Sequence, residues 1–322
     1  MGKWTVIGTW SMVLRGVKQA ADILQGGGRA ADAVIKAIMA TEDYRGYTSV
    51  GFGGLPNAAG VVELDAGFMD GDTFAVGAVG AVKDFKNPIL IAQSLSGGSH
   101  SNFLVGQGAE DYACSMGFSR KNMLTPKAKA RWLKQINNNA PLSGGHSAIS
   151  ADQPGTAAND ATTGSNEDGQ GSSIHVRAYD GHDTVCVVAL DSGGSVVAGT
   201  STSGLFMKRP GRLGDTALVG SGFYADSAVG GAAATGMGEE IMKGCLSYEA
   251  VRRMERGMTP AEAAESCVRE HADKLRRLSG DPAVHISLIC LDKEGRFGAG
   301  TTLRFPYVAA SDDLEPHEFI LF

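Results

Sequence analysis

The sequence has no block of basic residues, no apolar run approaching the ~18 residues of a membrane-spanning helix, and no CxxC pair. Each absence removes a class of function. With 29 Lys and Arg against 35 Asp and Glu, the net charge of -6 is unrelieved by any basic patch, so neither nucleic acid nor an anionic membrane surface is expected as a partner. The opening Met1-Gly2-Lys3-Trp4-Thr5-Val6-Ile7 runs into a strand-like segment rather than a secretory leader, and the expectation is a cytoplasmic protein. The five cysteines (Cys114, Cys186, Cys245, Cys267, Cys290) are odd in number and lie mostly in apolar or helical stretches, so they read as reduced, buried thiols. No histidine pair has helical ligand spacing and the acidic residues form no cluster, so no metal or cofactor is expected. The glycines of residues 49–54 lack a following lysine at P-loop spacing, and no GxGxxG occurs, which sets nucleotide binding aside. The expected partner is a small molecule.

What is present is ample apolar material: 43% hydrophobic residues over 322 positions, enough to bury the core of one large domain. The 45 glycines fall in runs without a period, as in tight turns and close backbone approaches rather than a repeat array. Ala31, Val34, Ile35, Ile38 and Met39 recur on one helical stripe. Residues 60–80 alternate around Asp70-Gly71-Asp72 as a hairpin would, and Asn87-Pro88 reads as an N-cap and first helical position.

From about residue 137 to 183 the composition turns to Ser, Gly, Asn, Asp and Thr, with almost nothing to bury, and reads as a mobile linker. Regular structure is expected to resume at Thr184, with a strand over Val185–Leu190, a turn, and a second strand over 195–202. Thr259-Pro-Ala-Glu262 forms a capping box ahead of a stripe of Ala263, Ala264, Cys267, Val268 and His271. Two closing strands are expected over 284–291 and 297–303. Strands, helices and strands in this order predict an α+β fold with sheets covered by helices.

The junction His182-Asp183-Thr184 places a threonine where the linker meets a buried strand. A threonine hydroxyl needs a base beside it to act as a nucleophile, and a free α-amine on the same residue, with a pKa of about 7.7–8.0, can be that base near neutral pH. Cutting the chain before Thr184 would supply it, the Thr184 hydroxyl attacking the Asp183 carbonyl and the resulting ester hydrolysing. In isolation these are three common polar residues at a loop end.

They do not stand in isolation. Thr9-Trp10, Ser49-Val-Gly-Phe-Gly-Gly54, Leu64-Asp-Ala66, Phe68-Met-Asp-Gly71, His182-Asp183-Thr184, Gly199-Thr-Ser-Thr202-Ser-Gly204, Pro210-Gly-Arg212-Leu-Gly-Asp215 and Ala232-Ala-Ala-Thr235-Gly236 follow one another in an order and spacing that resembles the glycosylasparaginases over nearly the whole chain. The resemblance implies the four-layer αββα sandwich of N-terminal nucleophile hydrolases and self-cleavage into residues 1–183 and 184–322, a folded part to 136 and the linker forming the end of the first piece. It also implies one catalytic domain built from both pieces, and a dimer of such heterodimers.

It further implies that Thr184 is the nucleophile, oriented through a hydrogen bond from Thr202. Arg212 would clamp a substrate α-carboxylate and Asp215 its α-ammonium, while Thr235 and Gly236 would form the oxyanion hole. Trp10 would wall the pocket, Ser49 would lie near the nucleophile and support processing or substrate contact, and His182 would constrain the scissile bond. Without the resemblance, Arg212 and Asp215 read as an ordinary surface ion pair, Thr202 as a cross-strand threonine, Trp10 as a half-buried aromatic, and Thr235-Gly236 as a turn before a helix.

The sequence departs from the family pattern at Leu213 (usually valine), Thr216-Ala217 (usually Ser-Pro), Ser203 (often asparagine) and Met237 after the Thr-Gly pair. Three activities compete. They are hydrolysis of N4-(β-N-acetylglucosaminyl)-L-asparagine or a related β-aspartyl amide, an isoaspartyl peptidase/L-asparaginase activity, and non-catalytic binding on the same scaffold. The signatures at Trp10 and residues 49–54 favour the first, and the intact set of Thr184, Thr202, Arg212, Asp215 and Thr235 argues against the third.

Overall fold

The computed structural model describes residues 2–98, 101–139, 183–280 and 284–322. The chain runs β1 (Thr5–Thr9), α1 (Leu14–Gln25), α2 (Ala30–Glu42), β2 (Leu64–Asp70), β3 (Val76–Val82), α3 (Pro88–Ser96), β4 (Phe103–Val105), α4 (Gly106–Ser115) and α5 (Pro126–Asn139). It continues with β5 (Val185–Leu190), β6 (Val196–Thr202), β7 (Phe223–Asp226), β8 (Gly230–Gly236), α6 (Gly238–Met242), α7 (Leu246–Glu255), α8 (Pro260–Ser279), β9 (Ile286–Asp292), β10 (Phe297–Thr301), β11 (Phe305–Ser311) and β12 (Leu314–Leu321).

Eight strands form one sheet in the order β12-β11-β1-β5-β6-β2-β3-β4, antiparallel except for β3 beside β4, and four form a second in the order β10-β9-β8-β7. Side-chain parity shows how the sheets pack. Along β5, Val185, Val187 and Ala189 join a core with α1 to α4, whereas Cys186, Val188 and Leu190 meet Phe223, Ala233, Ile289 and Leu291 of the second sheet. Along β8 and β9, Ala232, Ala234, Leu288 and Cys290 face the other way, onto α7 and α8. A strand buried on both faces needs an unbroken apolar run, and Val-Cys-Val-Val-Ala-Leu supplies it. The fold is α+β, with two sheets packed as a sandwich and helices against them.

The sequence reading and the structure differ at several points. The helix after Asn87 forms, but the Asn87 amide does not cap it; that amide donates to Glu42 and Asp43 instead. Helix α5 continues through Asn139, so the first three residues assigned to the linker are helical. Two strands follow the pair expected to close the chain: β11 pairs with both β1 and β12. Thr235 and Gly236 end strand β8 rather than forming a turn. Of the thiols, Cys186, Cys267 and Cys290 are buried, while Cys114 and Cys245 are exposed. The capping box at Thr259 forms with both of its hydrogen bonds. Among the described residues, no helix is long and apolar enough to cross a membrane.

Candidate active site

Parity also builds the site. Thr184 continues the face of Cys186 and Val188, Thr9 that of Ile7, and Thr235 that of Ala233, so all three hydroxyls enter the space between the sheets at one end. Thr184 is 4% exposed. Its carbonyl accepts from Thr9 Oγ1 at 2.7 Å, and the same Thr9 oxygen accepts from Cys186 N at 2.9 Å, which fixes the backbone on both sides of Val185. The Thr184 nitrogen is a peptide N–H while Asp183 is attached, occupying the place of the amine that cleavage would free. It donates to Thr235 Oγ1 at 3.2 Å. The Thr184 hydroxyl lies 3.4 Å from that of Thr216, a buried residue whose carbonyl accepts from Thr200 Oγ1 at 2.7 Å.

Trp10 follows β1 with φ of 63°, in a left-handed region where a bulky residue is held only by its surroundings. Its N–H donates to Pro306 O, its ring meets Phe305 edge-on at 5.0 Å, and its indole Nε1 donates to Thr235 Oγ1 at 3.0 Å. Thr235 Oγ1 therefore accepts from two N–H groups. A hydroxyl has two acceptor positions and one donor, so what Thr235 retains is an O–H to give. Gly236 beside it has φ of 131°, and a Cβ there would come within 2.2 Å of His285 O, so no other residue fits.

Arg212 and Asp215 do not form the surface ion pair that their spacing suggests. The Arg212 guanidinium grips Glu239 instead, Nε to Oε1 at 2.7 Å and Nη2 to Oε2. This takes one edge of the guanidinium and leaves Nη1 with the second Nη2 hydrogen as another fork. The ion pair holds the Glu239 carboxyl below its ordinary range. Asp215 is 3% exposed, and its Oδ2 has no hydrogen-bond partner among the described residues. Burial pushes its carboxyl up to about 7, against the pull of Arg212 and with a further push from Glu239 and Asp65. A Cβ on Gly238 would lie 2.9 Å from Asp215 Oδ1, so this carboxyl packs against the start of α6, and the next residue in the chain, Thr216, is the one whose hydroxyl meets that of Thr184.

Thr202 and Ser49 stand beside this group in a different relation from the one expected. The Thr202 hydroxyl donates to Ser49 O at 3.2 Å and accepts from Gly204 N at 3.0 Å, and Ser203 N donates to Ser49 O at 2.7 Å. The hydroxyl paired with Thr184 is that of Thr216. His182 lies outside the described residues. Sequence reasoning did not single out Thr9, Thr216 or Glu239 for these contacts. The even-numbered parity shared by Thr184, Cys186 and Val188 was the one available signal, since it faces the nucleophile toward the second sheet. Among the described residues, no three His, Cys, Asp or Glu side chains are grouped to hold a metal ion.

A buried hydroxyl with a donor-ready neighbour, a cation with one open fork and an unpaired buried carboxyl together suit attack on an amide whose acyl group carries both an ammonium and a carboxylate. Comparisons with known proteins agree with that chemistry. Residues 9–320 match the family described as Asparaginase. An N(4)-(Beta-N-acetylglucosaminyl)-L-asparaginase of Elizabethkingia miricola is 31% identical over 296 residues, 91% of this chain and 77% of that protein. The protein of the same name from Rattus norvegicus is 33% identical over 299 residues, 91% of this chain and 83% of its own. A protein of Arabidopsis thaliana named "Probable isoaspartyl peptidase/L-asparaginase 3" is 32% identical over 321 residues, 96% of this chain and 88% of its own. The chain belongs to the asparaginase family and is an amidohydrolase.

Proposed function

We propose that this protein cuts itself between Asp183 and Thr184 and then hydrolyses the side-chain amide of N4-(β-N-acetylglucosaminyl)-L-asparagine or a related β-aspartyl amide, releasing aspartate. The observation that carries the reading is the convergence at Thr184: nitrogen on the Thr235 hydroxyl, oxygen on the Thr216 hydroxyl, and carbonyl on Thr9. In self-cleavage the Thr184 hydroxyl attacks the Asp183 carbonyl, the peptide C–N bond breaks as the nitrogen takes the proton, and water hydrolyses the ester. The freed amine then takes the proton from the same hydroxyl as it attacks the substrate amide.

The tetrahedral oxygen meets the O–H left open on Thr235 and the N–H of Gly236. The leaving amine departs with a proton, and water releases aspartate from the Thr184 ester. Arg212 holds the α-carboxylate on its open fork while Glu239 fixes its other edge, and Asp215 takes the α-ammonium. Trp10 holds Thr235 in place and forms a wall of the pocket. Thr202 and Ser49 shape the loop behind the nucleophile, and His182 orients the bond to be cut.

The succession of α1 to α4 on the large sheet, the large sheet on the small one, and the small sheet on α7 and α8 supports a four-layer αββα order. The sharing of one sheet by strands from both sides of residue 183 supports a single catalytic domain made of two subunits; a dimer of such heterodimers is what the resemblance alone implies. Five unpaired thiols, two of them exposed, support a reducing, cytoplasmic setting. The motifs at Trp10 and residues 49–54, with the matches to the two N(4)-(Beta-N-acetylglucosaminyl)-L-asparaginases, favour a glycosylated leaving group; the match to the Arabidopsis protein gives the isoaspartyl peptidase/L-asparaginase reading its place as the second.

Purified, processed protein assayed against N4-(β-N-acetylglucosaminyl)-L-asparagine, L-asparagine and a β-aspartyl dipeptide, with aspartate release as the common readout, tests the proposal. Highest kcat/KM on the glycosylated amide is expected. Preference for the dipeptide would transfer the assignment to the second reading, and no release from any of the three would end both.

A further inference from the structure

Behind the loop that carries Arg212 lies a buried group of charges that the reaction itself does not use. Lys208 has 1% of its side chain exposed. Its Nζ donates to Glu63 O at 3.4 Å and lies 3.7 Å from Asp65 Oδ2 and 4.0 Å from Glu63 Oε2. Asp65 accepts from Ala81 N at 2.8 Å through Oδ1, while its Oδ2 has no hydrogen bond among the described residues and faces Lys208 as its counter-charge. Both oxygens of Glu63 accept from Gly211 N, at 3.1 and 3.0 Å, one residue before Arg212. Asp65 is opposite Thr202 in the β2–β6 register. At Gly204, φ is 71° and a Cβ would come within 2.9 Å of Lys208 Nζ, so the turn after Thr202 closes directly over the ammonium. The backbone of the same segment is pinned on its other side, Met207 N to Pro56 O and Ala58 N to Lys208 O.

Burying a lysine with two carboxylates is a poor way to gain stability, because desolvation offsets most of the attraction and well-packed apolar residues do as well. What such a group supplies is a fixed geometry, since each charge restricts where the others can sit. Here Asp65 is anchored to β3 through Ala81 N, and the other restraints end on the segment between Thr202 and Arg212.

We propose that Lys208 is a positioning residue for substrate reading: held by Glu63 and Asp65, it sets the 204–212 loop so that Arg212 presents its open fork, and Asp215 its carboxyl, to the substrate beside Thr184. The proposal rests on the reading of Arg212 as the carboxylate clamp given above. Lys208 acts through Arg212 and touches neither substrate nor the reacting atoms.

Steady-state kinetics on a chromogenic β-aspartyl anilide, with processing checked from the N-terminus of the small fragment, separate the possibilities. Lys208→Met should process normally and raise KM by on the order of 10- to 100-fold while kcat changes by less than about threefold. The double variant with Arg212→Lys should be scarcely worse than the more damaged single variant, because both act through one contact. A folded Lys208→Met enzyme with unchanged KM, with kcat reduced at constant KM, with effects that simply add to those of Arg212→Lys, or with no self-cleavage would overturn the assignment.

If Lys208→Met does not fold, Glu63→Gln decides. It keeps an acceptor for Gly211 N but removes the charge facing Lys208, so KM should rise in the same sense by a smaller factor, and an unchanged KM would overturn the proposal. Arg212→Lys alone is the control. If it leaves KM unchanged, the clamp reading has failed; if it raises KM while Lys208→Met and Glu63→Gln do not, only the positioning role has.

Discussion

Thr235 receives two N–H donors at one oxygen, from Thr184 and Trp10, and this is what commits its O–H to give rather than receive. Removal of one such donor from an oxyanion site costs about 100- to 1,000-fold in kcat, so processed Thr235→Ala should fall by that amount while Thr235→Ser, which keeps the hydroxyl, should stay near wild type. The comparison is made on protein whose small fragment begins at Thr184; near-normal kcat in processed Thr235→Ala would remove Thr235 from the chemistry. Asp215 gives a second prediction at this scale. Its buried carboxyl titrates at about 7 and must be ionised to receive an ammonium. Below that pH the free enzyme is increasingly protonated, so KM should rise as pH falls, approaching tenfold per unit well below the midpoint. A KM that is flat from pH 5.5 to 8 would contradict the assignment.

Most of these residues were legible because family-like motifs carry them, but their contacts were not. Arg212 and Asp215, three apart, read as partners; the fold instead turns Arg212 toward Glu239, 27 residues on, and leaves Asp215 Oδ2 buried without a hydrogen-bond partner among the described residues. Thr216 replaces a serine in the family pattern and so drew notice only as a departure, although it keeps the hydroxyl that reaches Thr184.

Among the elements, β5, α2 and the capped α8 declare themselves through periodicity and capping chemistry. Others break the local rules for reasons that only packing reveals. Helix α1 contains Gly16, which weakens any helical reading, yet a Cβ at that position would come within 2.3 Å of Ala37 O, so the glycine is what lets α1 lie against α2. Strands β11 and β12 each contain a proline, Pro306 and Pro316, a residue that argues against strand. Edge position accommodates the second. Strand β8 is all glycine, alanine and one threonine, with no apolar pattern to read; its small side chains let α7 approach one face and the large sheet the other.

Glu42 ties several elements together. At the end of α2 its carboxylate accepts from Ser201 Oγ on β6 at 2.7 Å, from Ile89 N in the first turn of α3 at 3.3 Å, and from Asn87 Nδ2 at 3.0 Å. Burial raises it to about 7 despite these donors. A carboxyl held above its unfolded value binds its proton more tightly in the folded chain. Its contribution is therefore complete below the unfolded pKa of about 4.3 and is lost as pH rises through about 7. Asp215 acts in the same sense. Thermal stability should thus fall between pH 5 and 8, and less steeply in Glu42→Gln; a stability that rises over that interval, or an unchanged slope in the variant, would contradict this account. Glu42→Ala, which leaves the buried Ser201 hydroxyl and Ile89 N–H without their acceptor, should destabilise by about 2 kcal/mol or more at pH 5 in chemical denaturation.

At the scale of the whole molecule, the sheet order decides what cleavage can do. Strand β1 lies between β5 and β11, and β2 lies against β6, so residues before 183 and after 184 are interleaved in one sheet. The two fragments should therefore co-elute in native gel filtration and separate only in denaturant, and spontaneous dissociation after cutting would contradict the pairing. The central claim is that Thr184 becomes an N-terminal residue by the chain's own action. The most direct test is mass spectrometry with N-terminal sequencing of purified protein beside a Thr184→Ala variant. The account predicts a small fragment of residues 184–322 beginning Thr-Val-Cys-Val in the parent and a single uncut chain in the variant. A fragment that starts elsewhere, or a fully active chain that is never cut, would contradict it.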